Sequence, residues 1–136
     1  MTTPEHAFWA TVDAIRERDP RYRREAYAFV MRSLAAVART LPPERAQDPV
    51  RRHLSGGELL RGALVIARQE FGVLAPTVLR EWGLLSGLDF GRIVFQLVEA
   101  GELSARPEDS LDDFRGMDDL PTAVSAAPGA RGTRPR

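Results

Sequence analysis

Cysteine is absent from this 136-residue chain. That absence excludes disulfides, thiolate nucleophiles and cysteine-ligated zinc or iron–sulfur centres together, and it fits a reducing, cytoplasmic setting. Lysine is missing as well, so all 19 basic residues are arginines. No Schiff-base lysine, no lysine general base and no Walker-type phosphate lysine can exist here. Histidine occurs only as His6 and His53. Long apolar runs are lacking too. The longest unbroken aliphatic stretch, "ALVIA" at 63–67, is far shorter than the about 20 residues a membrane span needs. The opening "MTTPEHAFWA" has no basic flank leading into an apolar run, so no signal peptide is expected.

The chain has the length of one domain, enough for one real core: a body of this size buries roughly two-thirds of the surface its unfolded chain exposes. Its charges balance to zero but are unevenly placed. Residues 1–106 carry 15 arginines against 13 acids, residues 107–120 carry six acids against Arg115, and residues 121–136 carry three arginines and no acid. This is not the strongly basic balance of a dedicated nucleic-acid binder.

Helical periodicity dominates. Phe8, Val12 and Ile15, with Trp9 beside them, predict a helix over about 5–18. Asp19 and Pro20 offer an N-cap and an N1 proline for a second helix reaching about Thr40. Its apolar stripe includes Tyr22, Ala26, Phe29, Val30, Leu34 and Val37. "LPPERAQDPV" breaks the pattern with three prolines and reads as a surface connection. A third helix, about Gly56 to Phe71, is apolar over so wide a face that it is expected to be the most buried, with Gly72 as its C-cap. "APTVLREWG" predicts a short fourth helix stopped by Gly83. "DFGRIVFQLVEAG" predicts a fifth, capped by Asp89 or Ser86, because Phe90, Ile93, Val94, Leu97 and Val98 keep helical spacing. "ELSARPEDSLDDF" reads as a small hairpin or as a loop into a short helix near 108–116. From Met117 the composition turns small, polar and rich in proline and glycine, which predicts disorder.

The stretch "HLSGGELLRG" (53–62) gathers a histidine, a hydroxyl, two glycines and a carboxylate. With Ser55 as N-cap, Glu58 falls at N3 and completes a capping box. Leu54 and Leu59 then occupy the two positions of a hydrophobic staple, and Gly56 and Gly57 fall at N1 and N2. A structural cap accounts for these residues without chemistry. The alternative is an anion held on the glycine amides, with His53, Ser55 and Glu58 as working side chains. His53 needs partners for such a role, and His6 is distant in sequence.

The blocks "AYAFV", "HLSGGELLRG", "FGVLAPTVLREWGL" and "DFGRIVFQLVEAGEL", in that order, resemble a family of small bacterial conserved hypothetical proteins of planctomycete and verrucomicrobial type. The likeness covers about residues 8–116 and rests on H-x-S-G-x-E-L-L and W-G…D-F-G. It implies domain limits and carries no implied activity. In fold logic, "APTVLREWGL" followed by "DFGRIVFQLVEAG" and "ELSAR" is similar to a helix-turn-helix with the first strand of a wing. The outward positions of that second helix are expected to be Arg92, Phe95, Gln96 and Glu99, a thin set for reading DNA.

The expected fold is therefore all-α, a compact bundle of about five or six helices in one domain over 1–116, with room for a small winged-helix-like hairpin after the 89–100 helix. A disordered tail, acidic and then basic, is expected over 117–136. The expected function is a non-enzymatic interaction or adaptor module, or a small accessory subunit, with a protein partner. No cofactor, no metal, no catalytic residue and no membrane contact are expected. Nucleic-acid binding through Arg92 and Gln96 is the alternative, and an anion-binding or enzymatic site around His53 is the third reading. His53, Gly56, Gly57, Arg92 and Gln96 are the contact candidates, while Ser55, Glu58 and Asp89 are expected to be caps.

Overall fold

The computed structural model describes residues 3–127. Among them every regular element is helical: α1 (Pro4–Arg18), α2 (Arg24–Arg39), α3 (Pro43–Ala46), α4 (Gly56–Phe71), α5 (Ala75–Trp82), α6 (Gly87–Glu99) and α7 (Leu120–Ser125), with 3-10 turns at Gly72–Leu74 and Leu111–Phe114. The all-α class is as the periodicity implies. No strand forms among the described residues, so the winged-helix-like hairpin is replaced by the second of the two readings, a loop that closes in the 111–114 turn.

Local chemistry sets most boundaries. Thr3 caps α1 by accepting the His6 amide, and Pro4 stands in the first turn. Gly83 ends α5 in the left-handed region at φ 85°, where a side chain is strained. A Cβ there would also lie 2.9 Å from the Arg21 carbonyl oxygen. One boundary differs from expectation. Asp19 does not cap α2; it is the C-cap of α1, and α2 begins five residues later, at Arg24, behind Arg23, whose side chain makes no cap bond. The intervening turn drives Tyr22 into the core, where it is 1% exposed. That burial outweighs the local preference for a helix at Asp19-Pro20.

The core is one cluster drawn from α1, α2, α4, α5, α6, α7 and the 111–114 turn. The apolar breadth of the third helix marks α4 as central and most buried; α4 does pack against α2, α5, α6, α7 and both 3-10 turns, but the most buried helix is α6. From Gly87 to Val98 no residue of α6 is exposed, whereas α4 shows Arg61, Gln69 and Glu70 to solvent. Gly87 and Gly91 explain how α6 can be so enclosed. They form a bare shelf on which Phe114 sits: a Cβ on Gly91 would lie 2.6 Å from the Phe114 ring, and one on Gly87 would overlap the Phe114 carbonyl.

The stretch Gly56–Trp82 is long and apolar enough, by length and composition, to cross a membrane. It is not one straight rod, because Gly72 at φ 56° and the turn after it separate α4 from α5. Two of the charges along it are tied to other helices: Arg68 donates to the Ser125 carbonyl of α7 at 2.8 Å, and Glu70 accepts Nη2 and Nε of Arg32 of α2 at 2.9 and 3.1 Å.

The expected disorder from residue 117 is corrected as far as the described residues reach. The Met117 carbonyl accepts the Gly87 amide at 2.7 Å, and the Leu120 amide donates to Leu85 at 2.8 Å. Asp119 then caps α7, and Leu120, Pro121 and Val124 are buried against α4 and α5. Composition averaged over a whole tail hides three apolar residues with helical spacing at one end of it. Residues 128–136 of the expected tail lie outside the described residues. Leu120→Ala is expected to cost about 2–5 kcal/mol of unfolding free energy, the usual loss for a fully buried leucine. Chemical denaturation checks this; an unchanged midpoint would return residues 117–127 to a free tail.

Candidate functional site

Two polar clusters contain all the residues singled out from the sequence. The first lies at the start of α4. Ser55 has extended backbone angles, and its Oγ accepts the Glu58 amide at 3.1 Å while Glu58 Oε1 accepts the Ser55 amide at 3.0 Å. The capping box is thus present, with Gly56 and Gly57 at N1 and N2. Leu54 packs partly buried against the core and Leu59 is fully buried.

Gly56 has a steric duty. A Cβ there would stand 2.8 Å from Asp113 Cβ and 2.9 Å from the Asp113 carbonyl oxygen, so the glycine allows the 111–114 turn to press on α4. Gly57 has no such duty, since a Cβ would meet only the flexible end of Arg61 at 3.1 Å. His53 reaches across to the loop before that turn. Its Nε2 lies 2.9 Å from Asp109 Oδ2, but the pair is not aligned as a hydrogen bond and Nε2 has no other partner among the described residues.

Arg45 is the residue that sequence reasoning missed. From α3 its guanidinium grips both oxygens of Glu58, with Nη2 2.7 Å from Oε1 and Nη1 2.5 Å from Oε2. The same group donates to the carbonyls of His53 and Arg51. One planar fork therefore ties the proline-rich connection to the cap of α4, a geometry that suits arginine and not lysine. Nothing at residue 45 signals a partner 13 positions away. The Arg45 bonds, followed by the Ser55 amide, hold the Glu58 carboxyl down to about 2.

A cleft of about 470 Å³ opens over this cluster. Its chemistry is limited. A carboxylate held at about 2 is a weak general base, because proton transfer works best when the catalytic pKa lies near the working pH. The Ser55 hydroxyl is engaged as the cap. The glycine amides that would hold an anion share the cleft with Glu108, Asp109 and Asp113, whose negative charge opposes a second anion.

The second cluster lies at the start of α6 and takes up Arg92 and Gln96. Ser86 is the N-cap and Asp89 the N3 member of another capping box. Asp89 does more than cap. Its Oδ2 accepts the Leu85 amide, the Ser86 amide and the Ser86 hydroxyl at 3.1, 3.0 and 3.2 Å, while Oδ1 accepts the Tyr22 hydroxyl at 2.7 Å and Arg92 Nη1 at 2.8 Å. Gln96 accepts the Tyr27 hydroxyl at 2.7 Å and donates to Asp19 at 3.0 Å. Burial raises Tyr22 above the usual phenol range, and burial followed by the Asp19 charge pushes Tyr27 up to about 12. Both phenols are thus neutral donors at ordinary pH.

Arg92 and Gln96 are therefore inward-facing braces between α6 and the α1–α2 corner, with Arg92 partly exposed. Phe95 packs partly buried against the core, leaving Glu99 as the exposed member of the expected reading face. A helix needs an exposed polar face to read a groove, and this one has little. Among the described residues no group of three or more histidine, aspartate or glutamate side chains is gathered closely enough to hold a metal. Comparison of the chain with protein-family models, curated proteins and solved structures gives no match to any of them.

Folded Glu58 titrates at about 2, below its ordinary 4.5. Its contribution to stability is therefore complete above the unfolded value and is lost as pH falls through the interval towards the folded one. Urea unfolding of the wild type and Glu58→Gln is expected to show a constant gap from neutral pH down to about 5, narrowing below that. A gap independent of pH would show that the ion pair does not hold the cap. Tyr22→Phe removes one donor from a buried carboxylate and is expected to cost about 1–3 kcal/mol in the same assay.

Proposed function

We propose that this chain is a non-enzymatic interaction module, an adaptor or small accessory subunit that acts by seating a partner protein in the cytoplasm. One observation carries the reading: apolar side chains remain available outside a core that is already complete. A trough of about 580 Å³ runs between α2 and α4, lined in part by Val37, Leu41, Val65 and Ile66. At the turn beyond α4, Val73 is 84% exposed and Leu74 62% exposed. Scattered apolar residues are ordinary on a protein surface, whereas a recess that gathers several of them beside polar groups offers a partner a concave seat.

The polar clusters support the same reading from the other side. Ser55, Glu58, Asp89, Arg92 and Gln96 are each bonded to a neighbour in the fold, which leaves them structural work in place of chemistry or base recognition. Full-length protein purified from its own cells under native conditions is expected to elute with a second polypeptide in fixed ratio. Recovery of the chain alone, as a monomer, would overturn the reading.

A further inference from the structure

We propose that the groove between α2 and α4 docks a short acidic amphipathic helix of the partner protein, its apolar side chains on Val37, Leu41, Val65 and Ile66 and its carboxylates against Arg39 and Arg61. This rests on the interaction-module reading above and gives it a site and a partner chemistry.

The floor of the groove follows from Gly62. A Cβ there would overlap Val37 Cγ2, so the two helices touch backbone to side chain at this crossing. With so little bulk at the contact, the space beside it is left as a trough instead of being filled. Ala36 and Gly62 line it together with the apolar residues named above. Those residues are half-buried, with neighbours on their inner side and solvent on their outer side.

The rim supplies the sign. The one acid among its lining residues, Glu58, is already gripped by Arg45, and Glu70, next in sequence to the rim residue Gln69, is held by Arg32. Arg39 and Arg61 also line the groove and are exposed. Neither makes an ion pair or side-chain hydrogen bond with a described residue. The uncompensated charge around the apolar floor is therefore positive, and a complementary segment carries acids. Along α4 the floor runs from Gly62 to Gln69, roughly two turns, which suits a helix laying an i, i+3, i+4, i+7 stripe into it.

Two occupants from the same sequence fit poorly. Residues 128–136 carry three arginines and no acid, the same sign as the rim. The acidic 107–120 segment of a second copy has already spent its large apolar anchors, since Phe114 and Leu120 are 4% and 1% exposed in its own core. A separate protein is left as the source.

A fluorescein-labelled synthetic peptide of about 14 residues, with leucine at i, i+3, i+4 and i+7 and glutamate elsewhere, supplies the probe for anisotropy titration. Its counterpart has lysine in place of every glutamate. The glutamate peptide is expected to bind wild-type protein at least about tenfold more tightly than the lysine peptide, with an affinity that falls as salt rises. Ile66→Asp is expected to weaken it by about tenfold or more, as is the double variant Arg39→Glu/Arg61→Glu, which should now prefer the lysine peptide. Both variants change residues outside the fully buried core, and their helical circular dichroism and melting confirm folding before titration. Equal binding of the two peptides, undiminished binding by either folded variant, or no binding at all would overturn the groove proposal. So would a wild-type dimer that Ile66→Asp dissociates. Native purification separates the two levels: a partner retained equally by wild type and Ile66→Asp sinks the groove alone, whereas no partner with wild type sinks the module reading as well.

Discussion

Taking the carboxylate of Asp89 out of water under α6 costs free energy that only a nearly full set of donors offsets, and five donor groups converge on it from three parts of the chain. Tyr22 brings the α1–α2 corner, the Leu85 and Ser86 amides with the Ser86 hydroxyl bring the α5–α6 turn, and Arg92 comes from α6 itself. Asp89 is only 9% exposed, so a donor that leaves strands part of a nearly buried carboxylate. The position of α6 is thereby fixed relative to α1, α2 and α5 at one atom pair. The Gln96–Tyr27 bond repeats the connection farther along α6, and the bare shelf of Gly87 and Gly91 then receives Phe114 on the remaining side.

The same economy recurs at two other helical starts. Three serine–acid boxes occur, at Ser55/Glu58, Ser86/Asp89 and Ser110/Asp113. In each, the acid satisfies the amide that begins its own turn and also touches something distant: Glu58 meets Arg45, Asp89 meets Tyr22 and Arg92, and Asp113 lies over Gly56. A cap alone contributes about 1 kcal/mol. A cap that also spans two elements couples local helix formation to assembly of the bundle, so the helix ends are not free to fray independently.

How far the fold was legible follows from the range of the interactions. The boxes could be read because both members lie three residues apart, and the helical stripes because their period is short. Arg45 could not be read, since its partner is set by the path of a proline-rich connection. At Asp19-Pro20 two good local signals for a helix start lose to burial of the Tyr22 ring. Residues 117–127 show the opposite case: Asp119, Leu120, Pro121 and Val124 carry a cap, an N1/N2 proline and a short apolar stripe, but the stretch after them dominates the composition. Arg92 and Gln96 were correctly placed on the fifth helix, while their direction depended on Tyr22, Tyr27 and Asp19, which no spacing within that helix reveals.

The apolar breadth of α4 is where fold and function separate. Leu59, Leu60, Ala63, Leu64 and Ala67 form its inner row and are buried. Val65 and Ile66 are only half-buried, although the core beneath is already closed by α6, the 111–114 turn and α7. Breadth of this kind is normally read as deep burial or as a membrane span. Here the inner row makes the core, Arg68 and Glu70 are tied to α7 and α2, and Val65 and Ile66 keep part of their surface in solvent. The apolar surface they still expose is covered only when another surface arrives. With α6 enclosed along almost its entire length, the outer side of α4 against α2 offers apolar area open to the encounter proposed above.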